Sequence, residues 1–316
     1  MDDAIRKAEA LIEALGYIRK FRDKLTVLKV GGSYMENEAA LMDTLEDIVF
    51  METVGMRPIV VHGGGKAITR AMERAGLAAR FVQGRRYTDE ATLDIVARVL
   101  VDEINDDIVR RIERLGGRAA GLHYQTSQCL FGRQTFLNGE NGTKLDLGRV
   151  GEVNRVDSRL IENLCMAGVV PVIPSLALDE SCAGGPAEPR NLLNVNADTA
   201  AAAVACQLRA EKFVLLTDTT GIWLDRNDPN SKASSLTADE CRSLVERGVV
   251  DSGMIPKVDA CLAALAGGVA KTHILDGRVP HSLLLEIYTD QGVGTEIVAR
   301  SANPQATGTV SGSIAR

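Results

Sequence analysis

The chain alternates short apolar runs with longer stretches of helical periodicity. Nearly all positions are apolar in five runs, at residues 25–30, 57–65, 169–176, 212–218 and 271–276. Such runs are typical of strands that are buried on both faces of a parallel sheet. Apolar residues at helical spacing predict helices at residues 4–21, 36–54, 66–76, 89–115, 157–167, 198–208, 237–247 and 257–267. The alternation predicts an α/β fold, a three-layer αβα sandwich with a mostly parallel central sheet.

Composition excludes several functional classes. The 316 residues are 45% hydrophobic and 25% charged, which is typical of a globular protein, and the net charge of -6 argues against a nucleic-acid partner. The acidic start Met1-Asp2-Asp3 is unlike a secretory signal, and no apolar run is long enough to span a membrane, so we expect a cytoplasmic protein. The six cysteines form no CxxC pair, which indicates neither a protein-held metal nor a disulfide framework.

Two glycine runs follow predicted strands. Gly31 and Gly32 come after Lys29-Val30, and Gly63–Gly65 comes after His62. Glycines let the backbone amides approach an anion closely, although either run alone could equally be a structural turn. Two runs at strand ends favour phosphate binding. The spacing is not that of a Walker loop, and neither a G-x-S-x-G elbow nor a dinucleotide-binding GxGxxG motif occurs.

Three further segments carry candidate chemistry. The stretch 194–198, "NVNAD", opens an alanine-rich helix, where Asn and Asp could either cap the helix or bind a polar ligand. The stretch 217–222, "TDTTGI", follows a buried strand and could face a nucleotide. Lys257 stands in the first turn of a helix that begins after "GMIP", and a lone lysine there would usually be a solvated charge.

Eight motifs in order across residues 10–298 resemble the amino acid kinase family, most closely those members that phosphorylate N-acetylglutamate. The motifs are "KVGGS", "VVHGGGKAI", "FVQGRRYTDEAT", "LGRVGEVNRVD", "NVNADTAAAAVA", "LLTDTTGI", "SGMIPKV" and "ILDGRVPHSLLLEIYTDQGVGTEI". The resemblance implies the amino acid kinase fold and ATP-dependent phosphorylation of the side-chain carboxylate of N-acetyl-L-glutamate, which yields N-acetylglutamyl 5-phosphate in arginine biosynthesis. The alternatives are a kinase for a related acylated amino diacid and a non-catalytic arginine-sensing relative.

The resemblance also implies roles for individual residues. Lys29 and Lys257 would flank the transferring phosphoryl group, and Asp198 would hold their two ammonium groups in place. The acceptor carboxylate is ionised at neutral pH, so no general base is needed. Magnesium is expected to accompany ATP, held by phosphates and water rather than by a protein ligand. The implied substrate-binding residues are Gly64, Gly65, Arg86 (preferred over the adjacent Arg85) and Asn194, and the implied ATP-binding residues are Gly31, Gly32, Lys212, Thr217, Asp218 and Gly221.

Regulation and domain organisation follow from the same resemblance. In arginine-sensitive members a similar N-terminal helix links dimers into a hexamer, so we expect a homo-hexamer inhibited by arginine, with Tyr17 and His281 as tentative effector contacts. One departure is the loop at His123-Tyr124, where the family usually has small residues, and it could alter acceptor choice or be displaced. The expected divisions are an oligomerisation helix (1–22), an acceptor-binding and dimerisation lobe (23–176), an ATP-binding lobe (177–300) and a flexible tail (301–316).

Overall fold

A computed structural model describes residues 1–138, 143–182, 188–225, 228, 231–288 and 292–300 of the chain. The predicted tail, 301–316, lies outside the described residues. The α-helices within this part are α1 Asp2–Phe21, α2 Glu38–Thr53, α3 Gly65–Arg74, α4 Glu90–Arg98, α5 Asp106–Arg114, α6 Ser158–Met166, α7 Ala197–Gln207, α8 Ala238–Glu246, α9 Ile255–Ala266 and α10 Ser282–Tyr288.

Most of the strands form one eight-stranded central sheet. The strands are β1 Leu25–Val30, β2 Arg57–His62, β3 Phe81–Val82, β4 Arg85–Arg86, β5 Ala119–Gly121, β6 Leu130–Asn138, β7 Lys144–Val156, β8 Val170–Pro174, β9 Leu176–Asp179, β10 Leu192–Val195, β11 Lys212–Thr217, β12 Ser235–Thr237, β13 Lys271–Asp276 and β14 Thr295–Val298. The order in the central sheet is β12-β14-β13-β11-β1-β2-β8-β5. All neighbours are parallel except β13 and β14, which confirms the predicted α/β class.

Alternate residues of the central strands enter two different cores. In β1, Val27 belongs to a buried cluster that includes residues of α7 and α9, whereas Leu28 and Val30 belong to a cluster that includes residues of α2 and α10. Successive side chains of a strand point to opposite faces, so a sheet covered on both sides needs apolar residues at every position. This is why the apolar runs located these strands correctly.

A smaller sheet escaped the sequence pattern. Strands β6, β7, β9 and β10 close into a barrel beside the central sheet, and β6 pairs antiparallel with β7. Strands β6 and β7 mix buried and exposed positions, so they contain no continuous apolar run, and β9 and β10 are only four residues long. The Gly/Pro-rich stretch 177–190 has the composition of a loop, yet 177–179 belongs to β9 and Glu180–Cys182 forms a 3-10 turn. Residues 183–187 of that stretch lie outside the described residues.

The long predicted helix 89–115 is not a regular α-helix. Between α4 and α5 the chain runs as a π-helical segment, Val99–Asn105. Leu100 and Val101 of this segment are fully buried. Within the described residues, no helix has an apolar stretch sufficient for a bilayer crossing.

Candidate active site

The two glycine runs lie side by side because the strands that precede them are neighbours in register. Lys29 pairs with Val61, and Val30 pairs with His62, so β1 and β2 end at the same edge of the sheet. The amide of Gly63 donates to the carbonyl of Val30 at 3.3 Å. Ligands of open α/β sheets bind beyond the carboxyl ends of the strands, and both glycine runs lie at that edge.

A carboxylate from α7 joins two lysines that come from distant parts of the chain. The Lys29 Nζ atom lies 2.9 Å from Asp198 Oδ1, and the Lys257 Nζ atom lies 3.8 Å from Asp198 Oδ2. Lys29 comes from the end of β1 and Lys257 from the first turn of α9, about 230 residues later in the chain. The sequence analysis predicted this grouping, and the structure brings the three side chains together.

Asp198 stays ionised although it is buried, because two lysines lie next to its carboxylate. Burial, the largest single effect on Asp198, would raise the pKa of its carboxyl, but the charges of Lys29 and Lys257 and their hydrogen bonds outweigh it. The pKa of Asp198 is therefore lowered, and the carboxylate is ionised at neutral pH. It can hold both ammonium groups near an incoming anion despite their mutual repulsion.

Because Gly31 has no side chain, the ammonium group of Lys29 can lie directly beside it. An ideal Cβ built at Gly31 would lie only 2.6 Å from Lys29 Nζ. The next residue, Gly32, has φ 109°, a backbone conformation that favours glycine, and it faces Asp218 of the neighbouring strand end. Larger residues here would move Lys29 away from Asp198 or strain the loop.

The start of α7 resolves the two interpretations left open for the stretch 194–198. Asn196 is the helix cap, because its side-chain oxygen accepts from the amides of Asp198 and Thr199 at 2.9 and 3.1 Å. Asp198, in the first turn, does not cap the helix and pairs instead with Lys29 and Lys257. Asn194 lies on β10 and donates to Thr88 Oγ1 at 3.0 Å. Capping and ligand chemistry thus belong to different residues.

A cavity of about 240 Å³ lies beside Lys29 and Asp198 and next to both glycine runs. Its polar wall includes two residues that the sequence analysis did not assign to the site. Ser175 stands in none of the eight motifs, and Asn196 stands in the stretch 194–198, where only Asn194 and Asp198 were given roles. Ser175 lies at the break between β8 and β9, and its amide donates to the carbonyl of His62 at 3.0 Å. The cavity is lined by Lys29, Gly31, Gly32, Gly63–Gly65, Ile68, Phe81, Gly84, Arg85, Arg86, Val150, Ser175, Asn194, Val195, Asn196, Ala197 and Asp198.

Arg86 is a buried, pre-positioned cation in this cavity. Its Nη2 atom donates to the carbonyl of Gly65 at 3.0 Å and to Thr69 Oγ1 at 2.7 Å, and its guanidinium lies 4.8 Å from the ring centroid of Phe81. Burial lowers the pKa of Arg86, yet a guanidinium stays protonated in proteins. Arg85 also lines the cavity but is less buried and pairs with Glu152 at 3.2 Å.

Lys257 and Asp218 line two further cavities. The larger, of about 1160 Å³, shares Gly32, Gly64, Gly65, Phe81 and Arg86 with the cavity of about 240 Å³, and the smaller has a volume of about 280 Å³. Thr217 is buried at the end of β11, and its hydroxyl donates to Asp218 Oδ1 at 3.3 Å. An adjoining cavity of about 330 Å³ is lined by Gly221, Ile222, Trp223, Val249, Val250, Asp251 and Met254.

Gly221 turns the chain sharply at the entrance to this mainly apolar cavity. Its φ is 123°, and a Cβ there would lie 2.6 Å from Thr295 Oγ1. Trp223 is the single tryptophan of the chain, and an aromatic ring beside small apolar side chains suits a flat heterocycle. The sequence analysis named Gly221 but not Trp223, although the lone tryptophan after a strand was an available signal.

The structure does not bring Lys212 to this site. Lys212 is the first residue of β11 and Thr217 the last, which puts them about 16 Å apart along the strand. Lys212 lies at the opposite edge of the sheet, with its ammonium 4.5 Å from the ring centroid of Phe21 in α1. Assignment by motif order failed because a buried strand carries its two ends to opposite edges of the sheet.

The two tentative effector contacts lie at opposite ends of α10. The ring of Tyr17 in α1 meets that of Tyr288, the last residue of α10, edge-on with centroids 6.4 Å apart. His281 precedes the first residue of α10, and its Nδ1 atom lies 2.7 Å from Asp47 Oδ1 of α2. The structure therefore does not join Tyr17 and His281 in one contact.

The atypical His123-Tyr124 loop does not line the cavity of about 240 Å³. His123 is buried, and its ring lies near Gly121 on the side of Asn105. Tyr124 packs with the cluster that contains the π-helical segment. Among the described residues, this loop therefore makes no direct contact with whatever ligand that cavity holds.

Comparison with known proteins assigns the chain to a family. The sequence profile of the amino acid kinase family matches residues 24–276. The chain is 44% identical over 299 residues to the acetylglutamate kinase of Heliobacterium modesticaldum, an alignment that covers 93% of this chain and 99% of that protein. It is 47% identical over 296 residues to the acetylglutamate kinase of Pelotomaculum thermopropionicum, covering 92% and 97%.

Solved structures share the fold. N-acetylglutamate synthase from Neisseria gonorrhoeae, complexed with coenzyme A and N-acetylglutamate, superimposes with a TM-score of 0.78 at 26% identity; the match covers 93% of this chain and 64% of that one. Carbamate kinase from Giardia lamblia bound to AMP-PNP superimposes with a TM-score of 0.60 at 13% identity, covering 88% and 99%, a likeness of fold alone.

Proposed function

This chain belongs to the amino acid kinase family, and we propose that it transfers the terminal phosphoryl group of ATP to the side-chain carboxylate of N-acetyl-L-glutamate. The product is N-acetylglutamyl 5-phosphate, an intermediate of arginine biosynthesis. Support comes from acetylglutamate kinases that match nearly the whole chain at 43–47% identity.

The observation that carries the proposal is the bridge from Lys29 through Asp198, which both line the cavity of about 240 Å³, to Lys257, which lines the cavities of about 1160 and 280 Å³. Transfer between two anions requires that their negative charge be neutralised while donor and acceptor are held in line. Lys29 and Lys257 supply that charge from either side. Asp198 keeps them apart and fixed, so the stabilising charges are already oriented before the substrates meet.

The acceptor side suits a small amino diacid derivative. Arg86 offers a guanidinium fork for one carboxylate, and Asn194 offers an amide for the acetamido group or the second carboxylate. The amides of Gly64 and Gly65 open α3, and a helix N-terminus stabilises an anion. The cavity of about 240 Å³ is below the usual range for ligand pockets, about 300–1,000 Å³, which favours a small acceptor in this part of the site.

ATP is proposed to lie on the other side of the lysine pair. The base would enter the cavity beside Trp223 and Gly221, and the phosphates would extend past Asp218 towards Gly31 and Gly32. Magnesium would enter with ATP, held mainly by phosphate oxygens and water, because Asp198 is already paired with two lysines. When bound, the ion would neutralise phosphate charge.

The test is ATP consumption with trapping of the acyl phosphate by hydroxylamine. We expect turnover with N-acetylglutamate and little with glutamate, N-acetylaspartate or N-acetylaminoadipate. Lys257→Ala should abolish it, whereas Lys24→Ala, which removes an exposed lysine paired with Glu211, should not. Selective turnover of another acceptor would replace the substrate, and inactivity with every acceptor would favour the non-catalytic sensor.

We also propose that the protein is a hexamer inhibited by arginine. The helix α1 exposes a row of apolar side chains, with Leu11 69% and Ile12 71% exposed, and another copy of the helix would cover them. A solved structure of the synthase from N. gonorrhoeae, with a TM-score of 0.75, contains L-arginine. Tyr17 of α1 contacts α10, so an effector that moves α10 would also shift α1.

Light scattering combined with an arginine titration tests both parts. Leu11→Ser combined with Ile12→Ser should reduce the hexamer to smaller assemblies and weaken inhibition, while the matched surface pair Leu77→Ser and Met166→Ser should leave the mass unchanged. A dimeric wild-type mass would contradict the hexamer.

We further propose a cytoplasmic location, which the six free thiols support.

A further inference from the structure

The π-helical segment Val99–Asn105 lies directly behind the second glycine run. A Cβ built at Gly64 would lie 2.6 Å from Ile104 Cδ1 and 2.8 Å from Leu100 Cδ2. These side chains therefore press against the bare backbone of Gly64. A π-helical turn inserts an extra residue into a helix and often occurs at functional sites.

The last residue of this segment forms a buried polar pair with the histidine before the glycines. Asn105 and His62 are both fully buried. Asn105 Nδ2 lies 3.0 Å from the carbonyl of Val172 and also 3.0 Å from His62 Nε2. A carbonyl can only accept, so the Asn105 atom that faces Val172 must be the amide nitrogen. Its second hydrogen then points at His62, and His62 Nε2 must accept it.

The tautomer of His62 follows from this contact. Burial lowers the pKa of His62 to about 4, so the ring is neutral at physiological pH. With Nε2 as acceptor, the single ring proton is on Nδ1, which lies 3.3 Å from the carbonyl oxygen of Gly63 and donates to it. In a trans peptide the carbonyl and the following N–H point in opposite directions. Fixing the Gly63 carbonyl therefore orients the N–H of Gly64.

We propose that Asn105 is a positioning residue for acceptor binding: it sets the tautomer of His62, and His62 holds the Gly63–Gly64 peptide so that the Gly64 N–H faces the acceptor carboxylate. The inference rests on the proposed function of the cavity. It also gives the His123 loop a route to the site, because Gly121 lies against Asn105 Oδ1 and His123 lies against Gly121.

Two substitutions of His62 separate positioning from packing. The amide nitrogen of His62→Asn can replace Nδ1 and still donate to Gly63, whereas that of His62→Gln reaches the place of Nε2 and leaves the carbonyl of Gly63 without a donor. A packing role favours Gln, which is closer to His in volume. We expect KM for N-acetylglutamate to rise at least about tenfold in His62→Gln and no more than about threefold in His62→Asn, with KM for ATP unchanged in both.

Asn105→Asp tests the other half of the relay. A carboxylate leaves the carbonyl of Val172 without a donor and accepts from His62 Nε2, so a neutral ring carries its single proton on Nε2 and loses the contact with Gly63. We expect KM for N-acetylglutamate to rise about tenfold or more. Leu45→Ala, a core substitution in α2, controls for lost stability and should leave both KM values unchanged. The reverse order, with His62→Gln better than His62→Asn, would overturn the proposal.

The tautomer can be measured without any substrate. Long-range proton–nitrogen correlation on protein labelled at its four histidines should show His62 as the Nδ1–H form, assigned by its absence from His62→Gln. An Nε2–H ring would refute the relay. If the wild type fails to phosphorylate N-acetylglutamate, the proposed function falls, and this spectrum together with the spectrum of Asn105→Asp still decides the His62–Asn105 relay.

Discussion

Asp198→Asn is the sharpest test of the bridge between the lysines, because it removes one charge and hardly any volume. At 2.9 and 3.8 Å, with an effective dielectric constant of about 20, the gross attraction of the carboxylate to the two ammonium groups is about 6 and about 4 kcal/mol. Desolvation offsets much of this, and removing one partner of a buried pair costs about 3–5 kcal/mol. A loss of about 4 kcal/mol from the transition state corresponds to about a thousandfold lower kcat.

The assay is steady-state kinetics with both substrates varied. We expect kcat to carry most of the loss, because the misplaced lysines matter most where charge builds up between donor and acceptor. Asp157→Asn, which changes the cap of α6 and touches none of the site cavities, is the matched control and should keep full activity. Lys257→Ala should cost less in the Asp198→Asn background than alone, since coupled residues are not additive. A kcat within about twofold of wild type in Asp198→Asn would refute the reasoning.

The other predictions concern three separate places in the molecule. Lys212→Met should leave KM for ATP unchanged, because Lys212 lies at the far edge of the sheet; a large increase measured by steady-state kinetics would restore its predicted ATP contact. Gly64→Ala should raise KM for N-acetylglutamate about tenfold, since its Cβ would meet Ile104 Cδ1, and an unchanged KM would show that the loop can shift without cost. Burial raises the pKa of Asp47 to about 6, and the hydrogen bond to Asp47 raises that of His281. Because of both shifts, the folded state binds protons more tightly than the unfolded state, so the stability contributed by this pair is lost as the pH rises through the folded-state pKa values. The melting temperature, measured from about pH 4 to pH 8, should depend less on pH in Asp47→Asn than in the wild type, and an unchanged dependence would contradict this.

The sequence located the elements that lie buried on both faces. A strand such as β1 must be apolar at every position when helices cover both sides of the sheet, so its pattern is readable without the structure. The barrel strands β6 and β7 are half exposed, and their mixed pattern gave no such signal. The π-helical segment Val99–Asn105 was predicted as ordinary helix, because one inserted residue barely changes apolar spacing over a long window.

For the site, motif order was enough to name Lys29, Asp198 and Lys257, since Lys29 lies near the end of β1 and the other two lie in the first turns of α7 and α9. Only the tertiary structure decided which of two residues close in sequence takes which role. Asn196 caps α7 so that Asp198 can pair with lysines, and these roles depend on where two adjacent side chains point. Lys212 stands five residues before Thr217 in the sequence, yet an extended strand carries the two to opposite edges of the sheet. Sequence thus determined which chemical groups are available, and the three-dimensional packing determined which of them meet, because proximity between distant segments is a property of the fold.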